Sequence, residues 1–401
     1  MAINDINRTM GPSASQSHTS DAIGHAEDLS PIITNIDPDL SFFLSEFDTG
    51  EAAESLKFEW PLDRLKPPGV NAQFEKHDYT SGPVGSLEYK ENQEQFFETS
   101  GEVTHAQRKV RKAYNPQDEF ERLFQQSMIQ HARDIEYAIV NNAISRGESK
   151  GTLAAMTGGI PFFMESDTLA VTVSTSDGKI TSTQPHNLET GDFVYLNGAT
   201  IPGGLDAKKT YYVRLDEGAP ATAFTLYDTM QGAVEDIASK KVVPTTAGTD
   251  VTILRNNVVD LGGVSDYTLD DIDDAMQMAY NRGGNPTLCV MSPAKKKRFS
   301  QQVTNMTQIN RNMGKSRKID LVAESVETDF GTINVKTHRM MGDDKIYLLD
   351  MQYWKHRWFE HTHRVPNLPN VGTYDRYVIS STYGLQGSQP KASACITGIK
   401  R

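Results

Sequence analysis

The stretch Asn115-Pro-Gln-Asp-Glu-Phe120-Glu-Arg-Leu-Phe124-Gln-Gln-Ser-Met128-Ile-Gln-His-Ala-Arg-Asp-Ile135-Glu-Tyr-Ala-Ile139-Val-Asn-Asn-Ala-Ile-Ser-Arg146-Gly147 decides how the rest of the chain is read. Asn115 suits a helix N-cap, and Pro116 suits the first helical position, where its missing N–H costs nothing. Asp118, Glu119 and Glu121 follow in the first turn, where the helix dipole favours acids. Phe120, Leu123, Phe124, Met128, Ile135 and Ile139 recur at helical spacing, and Gly147 supplies a stop. The pattern predicts a helix from Asn115 to Arg146, a rod on the order of 45 Å long. A rod of that length is a spine to which other elements attach.

The chain before the spine has a different texture. Residues 1–30 are rich in Ser, Asn, Gly and His and poor in apolar side chains, which predicts a mobile terminus. Residues 31–38 read as an extended piece, followed by the apolar knot Leu40-Ser-Phe-Phe-Leu44. From Leu56 to Arg111 helical periodicity is weak. Pro67-Pro68-Gly69, Gly82-Pro83 and Gly85 punctuate irregular strands such as Phe74–Tyr79 and Leu87–Tyr89. A loop-rich stretch this long is unusual inside one domain. It is expected to be an arm that packs on another subunit.

After the spine come the turn Gly158-Gly159-Ile-Pro161 and the apolar run Phe162-Phe163-Met164. Six short strand candidates follow: Leu169–Val173, Lys179–Thr183, Phe193–Leu196, Tyr211–Leu215, Phe224–Tyr227 and Val251–Leu254. The turn pairs Asp177-Gly178, Asn197-Gly198 and Gly203-Gly204 separate them. Residues 168–255 therefore read as a small all-β module. Mixed texture then returns. Thr268-Leu-Asp-Asp271 is a capping box ahead of Ile272, Ala275, Met276 and Ala279. Thr287–Met291 is a buried strand, Ser292-Pro293 starts a helix through Phe299, and Phe330–Val335 and Lys345–Asp350 are further strands. Tyr374–Tyr383 and Ala392–Ile399 close the chain. The simplest parse is a β module inserted between two parts of an α+β protein.

Composition narrows the function classes. The 401 residues carry a net charge of −12 and 37% hydrophobic residues, with mean hydropathy −0.50. A dedicated DNA grip usually needs a basic face, so the acidic balance argues against one. It is compatible with a container whose wall must not hold DNA tightly. No apolar run reaches the roughly 20 residues a membrane helix needs, and no apolar leader follows Arg8. Cys289 and Cys395 are too few for a disulfide framework. A reducing cytoplasm is the expected birthplace, with no membrane partner.

No catalytic constellation emerges. His361 and His363 alternate onto one strand face near Glu360, but no third ligand stands at a zinc spacing, so His356–His363 reads as a polar surface segment. Lys295-Lys-Lys-Arg298 reads as a solvated helix or a subunit contact. Gly314-Lys-Ser316 lacks the rest of a phosphate loop, because position 309 is Ile. Asp270, Asp271, Asp273 and Asp274 read as dipole and capping residues. Neither an enzymatic activity nor a cofactor or metal is expected.

The order of pieces resembles the Hong Kong ninety-seven phage capsid fold. Phe58-Glu-Trp60, Arg133-Asp-Ile-Glu136, Gly158-Gly159-Ile-Pro161, Val290-Met-Ser-Pro293, Thr328-Asp-Phe-Gly331 and Tyr347-Leu-Leu-Asp350 are similar to the podophage-type major head protein family. The resemblance covers about residues 30–401 except the β module. Pro185–Asp192 and Lys209–Val213 in that module are similar to small β domains of phage structural proteins. The implied division is an N-terminal arm (1–50), an extended E-loop region (51–112), a P-domain with the spine helix (113–167), an inserted β domain (168–255), an A-domain (256–350) and closing strands returning to the P-domain (351–401). The implied function is a major capsid protein whose pentamers and hexamers enclose double-stranded DNA. The implied partners are its own copies, a portal, a separate scaffolding protein and decoration proteins. Subunit contacts are expected at Phe58, Trp60, Lys66, Lys76, Lys90, Arg133 and Glu136. The prototype links subunits through Lys–Asn bonds, but no partner Asn is identifiable beside these lysines, so assembly is expected to be non-covalent. A phage tail or head-decoration protein is the rival reading, and the spine and arm argue against it.

Overall fold

In the apolar knot, Phe42–Glu46 forms a short helix, α1, that buries Phe43 and hands on to buried Phe47. The computed structural model describes residues 41–63, 72, 75–76, 78, 88–110, 118–165, 168–186, 188–206, 209–215, 222–264, 266–307, 325–366, 368–369 and 372–400. The expected mobile terminus, the extended piece at 31–38, Lys66, the cap Asn115-Pro116 and Gly314-Lys-Ser316 lie outside these residues. After α1, β1 (Asp48–Thr49) precedes a two-stranded hairpin of β2 (Lys57–Leu62) and β3 (Glu88–Gln93). β4 (Gln95–Thr104) alternates side chains so that Phe97 and Val103 face inward. Thr104 caps a one-turn helix, α2 (His105–Lys109).

The spine, α3, runs Glu119–Asn141, and Asp118 caps it through the Phe120 N–H at 3.1 Å. Its 23 residues span about 35 Å at the helical rise, short of the expected rod. The helix stops early because Asn142 turns extended and its side chain donates to Thr157 O at 2.9 Å. Arg146 meanwhile pairs with Met156 through both backbone groups. The Gly159–Glu165 stretch also differs from expectation, since α4 (Ile160–Glu165) is helical and buries Ile160, Phe163 and Met164.

All six strand candidates of residues 168–255 are strands: β5 (Thr168–Val173), β6 (Lys179–Ser182), β7 (Phe193–Asn197), β8 (Tyr211–Arg214), β9 (Ala223–Tyr227) and β10 (Thr252–Leu254). They close into a barrel in the order β10-β5-β6-β9-β8-β7. Its interior is apolar, with Val171, Val194, Leu196, Val213, Phe224, Leu226 and Ile253 in one buried cluster. A helix, α5 (Met230–Glu235), interrupts the all-β pattern. Leu254 pairs with Thr168, so the first and last strands meet where the chain enters and leaves.

β11 (Asn257–Val264), α6 (Leu269–Asn281), β12 (Leu288–Met291), α7 (Pro293–Thr307), β13 (Ser325–Thr328), β14 (Gly331–Thr337) and β15 (Ile346–Leu349) follow. The Thr268/Asp271 capping box opens α6 as expected. β16 (Trp354–Arg364), β17 (Tyr374–Gly387) and β18 (Ala394–Ile399) complete the chain. Two sheets organise the body: β1-β16-β17-β4 and β11-β18-β15-β12-β14-β13. The closing strands were expected to return together to the spine's body, and the structure separates them. β17 pairs with β4 over ten positions beside the spine. β18 instead slots between β11 and β15, where Ala394, Cys395 and Ile396 are fully buried. An apolar run with no exposed face fits a central strand better than an edge.

Candidate assembly surfaces

The hairpin is rooted in its own chain. Asn92 donates from Nδ2 to Thr157 Oγ1 (3.2 Å), Gly158 O (3.0 Å) and Leu385 O (2.6 Å), and its Oδ1 accepts from Gly158 N at 2.9 Å. Phe58 stacks on Trp60 at 5.7 Å, Trp60 packs on Phe163 at 6.0 Å, and Trp60 Nε1 donates to Ser388 O at 3.3 Å. Both aromatics are buried, each contributing roughly 1.5–3 kcal/mol by leaving water. Phe58 and Trp60 are therefore core anchors and not contact residues as expected. The expected arm was also too broad, because β4 belongs to the four-stranded sheet. On the opposite face of the hairpin, Lys57 bridges Glu59 (2.8 Å) and Glu91 (2.5 Å), and Tyr89 is 63% exposed. Lys76 is exposed, and half-buried Lys90 stands 3.7 Å from Glu88.

The spine has two faces. On the inner one Glu136 is fully buried. Its carboxylate accepts from Phe43 N (2.8 Å) and Leu44 N (3.1 Å), fixing α1, and meets His338 Nε2 at 2.9 Å. His338 Nδ1 accepts from Met340 N at 3.2 Å, so the proton sits on Nε2 and points at Glu136. Glu136 thus ties three distant parts of the chain together and is withdrawn as a contact residue. Nearby, His131 lies between Thr99 Oγ1 and Ser381 Oγ, and His356 Nδ1 meets the Tyr383 hydroxyl at 2.9 Å. Burial holds both imidazoles below their ordinary value. The outer face of the spine carries Ile129 (47% exposed), half-buried Arg133 and Tyr137 (57% exposed) at four-residue spacing, one stripe on a helix. Of the expected contacts, Arg133 thus lies on the surface between two exposed apolar side chains. Ile144 (59% exposed) stands just beyond the helix end.

Two other segments depart from expectation. His356 is not part of a polar surface segment: β16 starts buried at Trp354 and His356 and becomes exposed only toward Phe359, Glu360 and His361. The basic run on α7 is largely tied inward. Lys295 Nζ lies 3.5 Å from Lys400 O, Lys296 Nζ donates to Val335 O at 3.1 Å, and Arg298 pairs with Asp266 at 2.5 Å. Among the described residues no group of His, Cys, Asp and Glu is placed to hold a metal ion, and no helix is long and apolar enough to cross a membrane. A cleft of 540 Å³ lies between the barrel and the end of the hairpin at Leu62 and Glu88. Arg282 spans its wall, donating to Phe193 O at 3.2 Å and lying 4.7 Å over the Phe193 ring.

The arrangement is a hairpin with one buried and one exposed face, an apolar-cationic stripe on a rod and a closed barrel, with buried polar groups used for internal ties. The family described as SU10 major capsid protein matches residues 12–400. No curated protein matches the sequence. Among solved structures, the "Cyanophage A-1(L) capsid asymmetric unit" superposes with a TM-score of 0.56 at 9% identity, over 96% of this chain and 99% of that one. The "Capsid of native GTA particle" gives 0.52 at 10% identity, over 97% and 100%. "The capsid of Myoviridae Phage XM1" gives 0.50 at 9%, over 93% and 97%. At these identities the likeness speaks for the fold, which is of the Hong Kong ninety-seven type.

Proposed function

We infer, from the premise that this chain belongs to the SU10 major capsid protein family, how its surfaces build a shell. The chain is the major capsid protein of a tailed phage and forms an icosahedral head. Pentamers and hexamers form when the part of the arm beyond the Asn92 root lies on a neighbouring subunit and the Ile129/Arg133/Tyr137 stripe meets another copy. The observation that carries this reading is the split between the two faces of the hairpin: Phe58, Trp60 and Asn92 are sealed in the chain's own core, while Tyr89 and the Lys57–Glu59–Glu91 cluster face outward. Lys76 and Lys90 serve as polar contacts. Assembly is non-covalent, and the protein is not an enzyme.

The barrel is an inserted domain on the outer surface of the shell. The pairing of Leu254 with Thr168 supports this, because the two ends of the insertion meet. A portal, a separate scaffolding protein and decoration proteins are the further partners, DNA is enclosed without tight binding, and the protein is made in the host cytoplasm. Negative-stain microscopy of the purified, expressed chain tests the reading. Closed shells or five- and six-membered rings are expected, and monomers or open tubes alone would count against it.

A further inference from the structure

Glu94 is the single residue between arm strand β3 and sheet strand β4. Its backbone is held by the Leu56 carbonyl at 2.8 Å. Its side chain is 0% exposed, and neither carboxyl oxygen has a hydrogen-bond partner. Leaving a carboxylate in that state is costly, so the group stays protonated. Burial pushes it up from 4.5 to about 8, with Arg357 pulling the other way.

The surroundings explain how a carboxyl fits there. Arg357 pairs with Gly384 across β16 and β17, and Tyr383 pairs with Gln95 across β17 and β4. Glu94, Gly384 and Arg357 therefore form one row across the sheet. A Cβ on Gly384 would stand 2.6 Å from Phe58 Cε1 and 2.9 Å from Glu94 Oε1. The glycine leaves a hole that the edge of Phe58 and the carboxyl fill together. Arg357 lies 5.6 Å from the Phe58 ring centre, its Nε lacks a hydrogen-bond partner, and its ion pair is a loose 3.8 Å contact with exposed Glu51. Among the described residues, the Tyr383 hydroxyl, held neutral by burial, feels both Glu94 and Glu136 of the spine, and His356 stands beside it.

We propose that Glu94 is a proton-linked latch at the root of the arm. The neutral carboxyl lets β2, β3 and Phe58 close on Gly384; swinging them away exposes it, its O–H bond ionises, and the proton passes to water. The closed state holds one proton more than the open state over the interval between the two ionisation points. Opening is therefore rare in acid and grows about tenfold per pH unit until the closed state itself ionises, after which it levels off. The meaning of the latch for assembly rests on the proposed contact of the arm with a neighbour; the opening itself does not.

Hydrogen exchange of the full-length, unassembled chain tests the latch without assembly. Rates at 57–62 and 88–93 are followed from about pH 6 to about pH 9 and corrected for intrinsic exchange. The native chain should show opening that rises about tenfold per pH unit and flattens near pH 8. Glu94→Gln, a neutral isostere, should give a flat profile. Arg357→Met removes the positive charge that attracts the carboxylate and should move the break to higher pH. A flat native profile, or a slope retained in Glu94→Gln, overturns the latch. If Glu94→Gln does not fold, an unmoved break in Arg357→Met does so instead.

Discussion

Glu136 shows how one side chain can hold a subunit together. Removing it leaves Phe43 N, Leu44 N and His338 Nε2 without an acceptor inside the protein. Glu136→Ala should therefore cost about 3–5 kcal/mol, measured by denaturant unfolding of unassembled chain; a loss below about 1 kcal/mol would show that the site rehydrates. The sequence could not announce this role. Glu136 stands beside Ile135 at the margin of the apolar stripe, and its partners lie 93 residues before it and 202 after it, with no local pattern to mark them. Glu94 was equally silent, because an acid between two strands reads as a solvent-facing turn until the neighbouring strands cover it. Phe58 and Trp60 were recognisable as important but were given the wrong job: aromatics seal cores and interfaces by the same physics.

Among the elements, those with local signatures were legible. The capping box of α6, the fully buried strands β12 and β15 and all six barrel strands follow from spacing and turn residues. Boundaries set by distant partners were not, and the spine ends early because Asn142 finds Thr157. The outer stripe of the spine was half legible: Arg133 was expected at a contact, whereas Ile129 and Tyr137 emerge only once the buried face is known. Arg133→Glu should fold normally, since surface changes usually stay within about 0.5 kcal/mol, yet should cut shell yield severely in sedimentation. Normal shells from this variant would remove the stripe from the assembly surface.

For the whole molecule, the order of arm, spine and mixed sheets was readable, and the connectivity of the sheets was not. Replacing residues 168–255 with a short Gly/Ser linker should still give shells, because the ends of the barrel already meet. Those shells should lose heat stability, since Tyr195 and Leu254 of the barrel also pack into the main core. A remainder that is insoluble would mean the barrel is integral to the fold. The place of β18 has a consequence for how the protein is made. On the ribosome, β11 and β15 emerge long before the strand that fills the gap between them, so their facing edges stay open during synthesis. Open edges invite pairing with the wrong chain. A nascent subunit therefore stays incomplete until β18 is translated, which delays assembly until then and leaves the growing polypeptide in need of chaperone shelter.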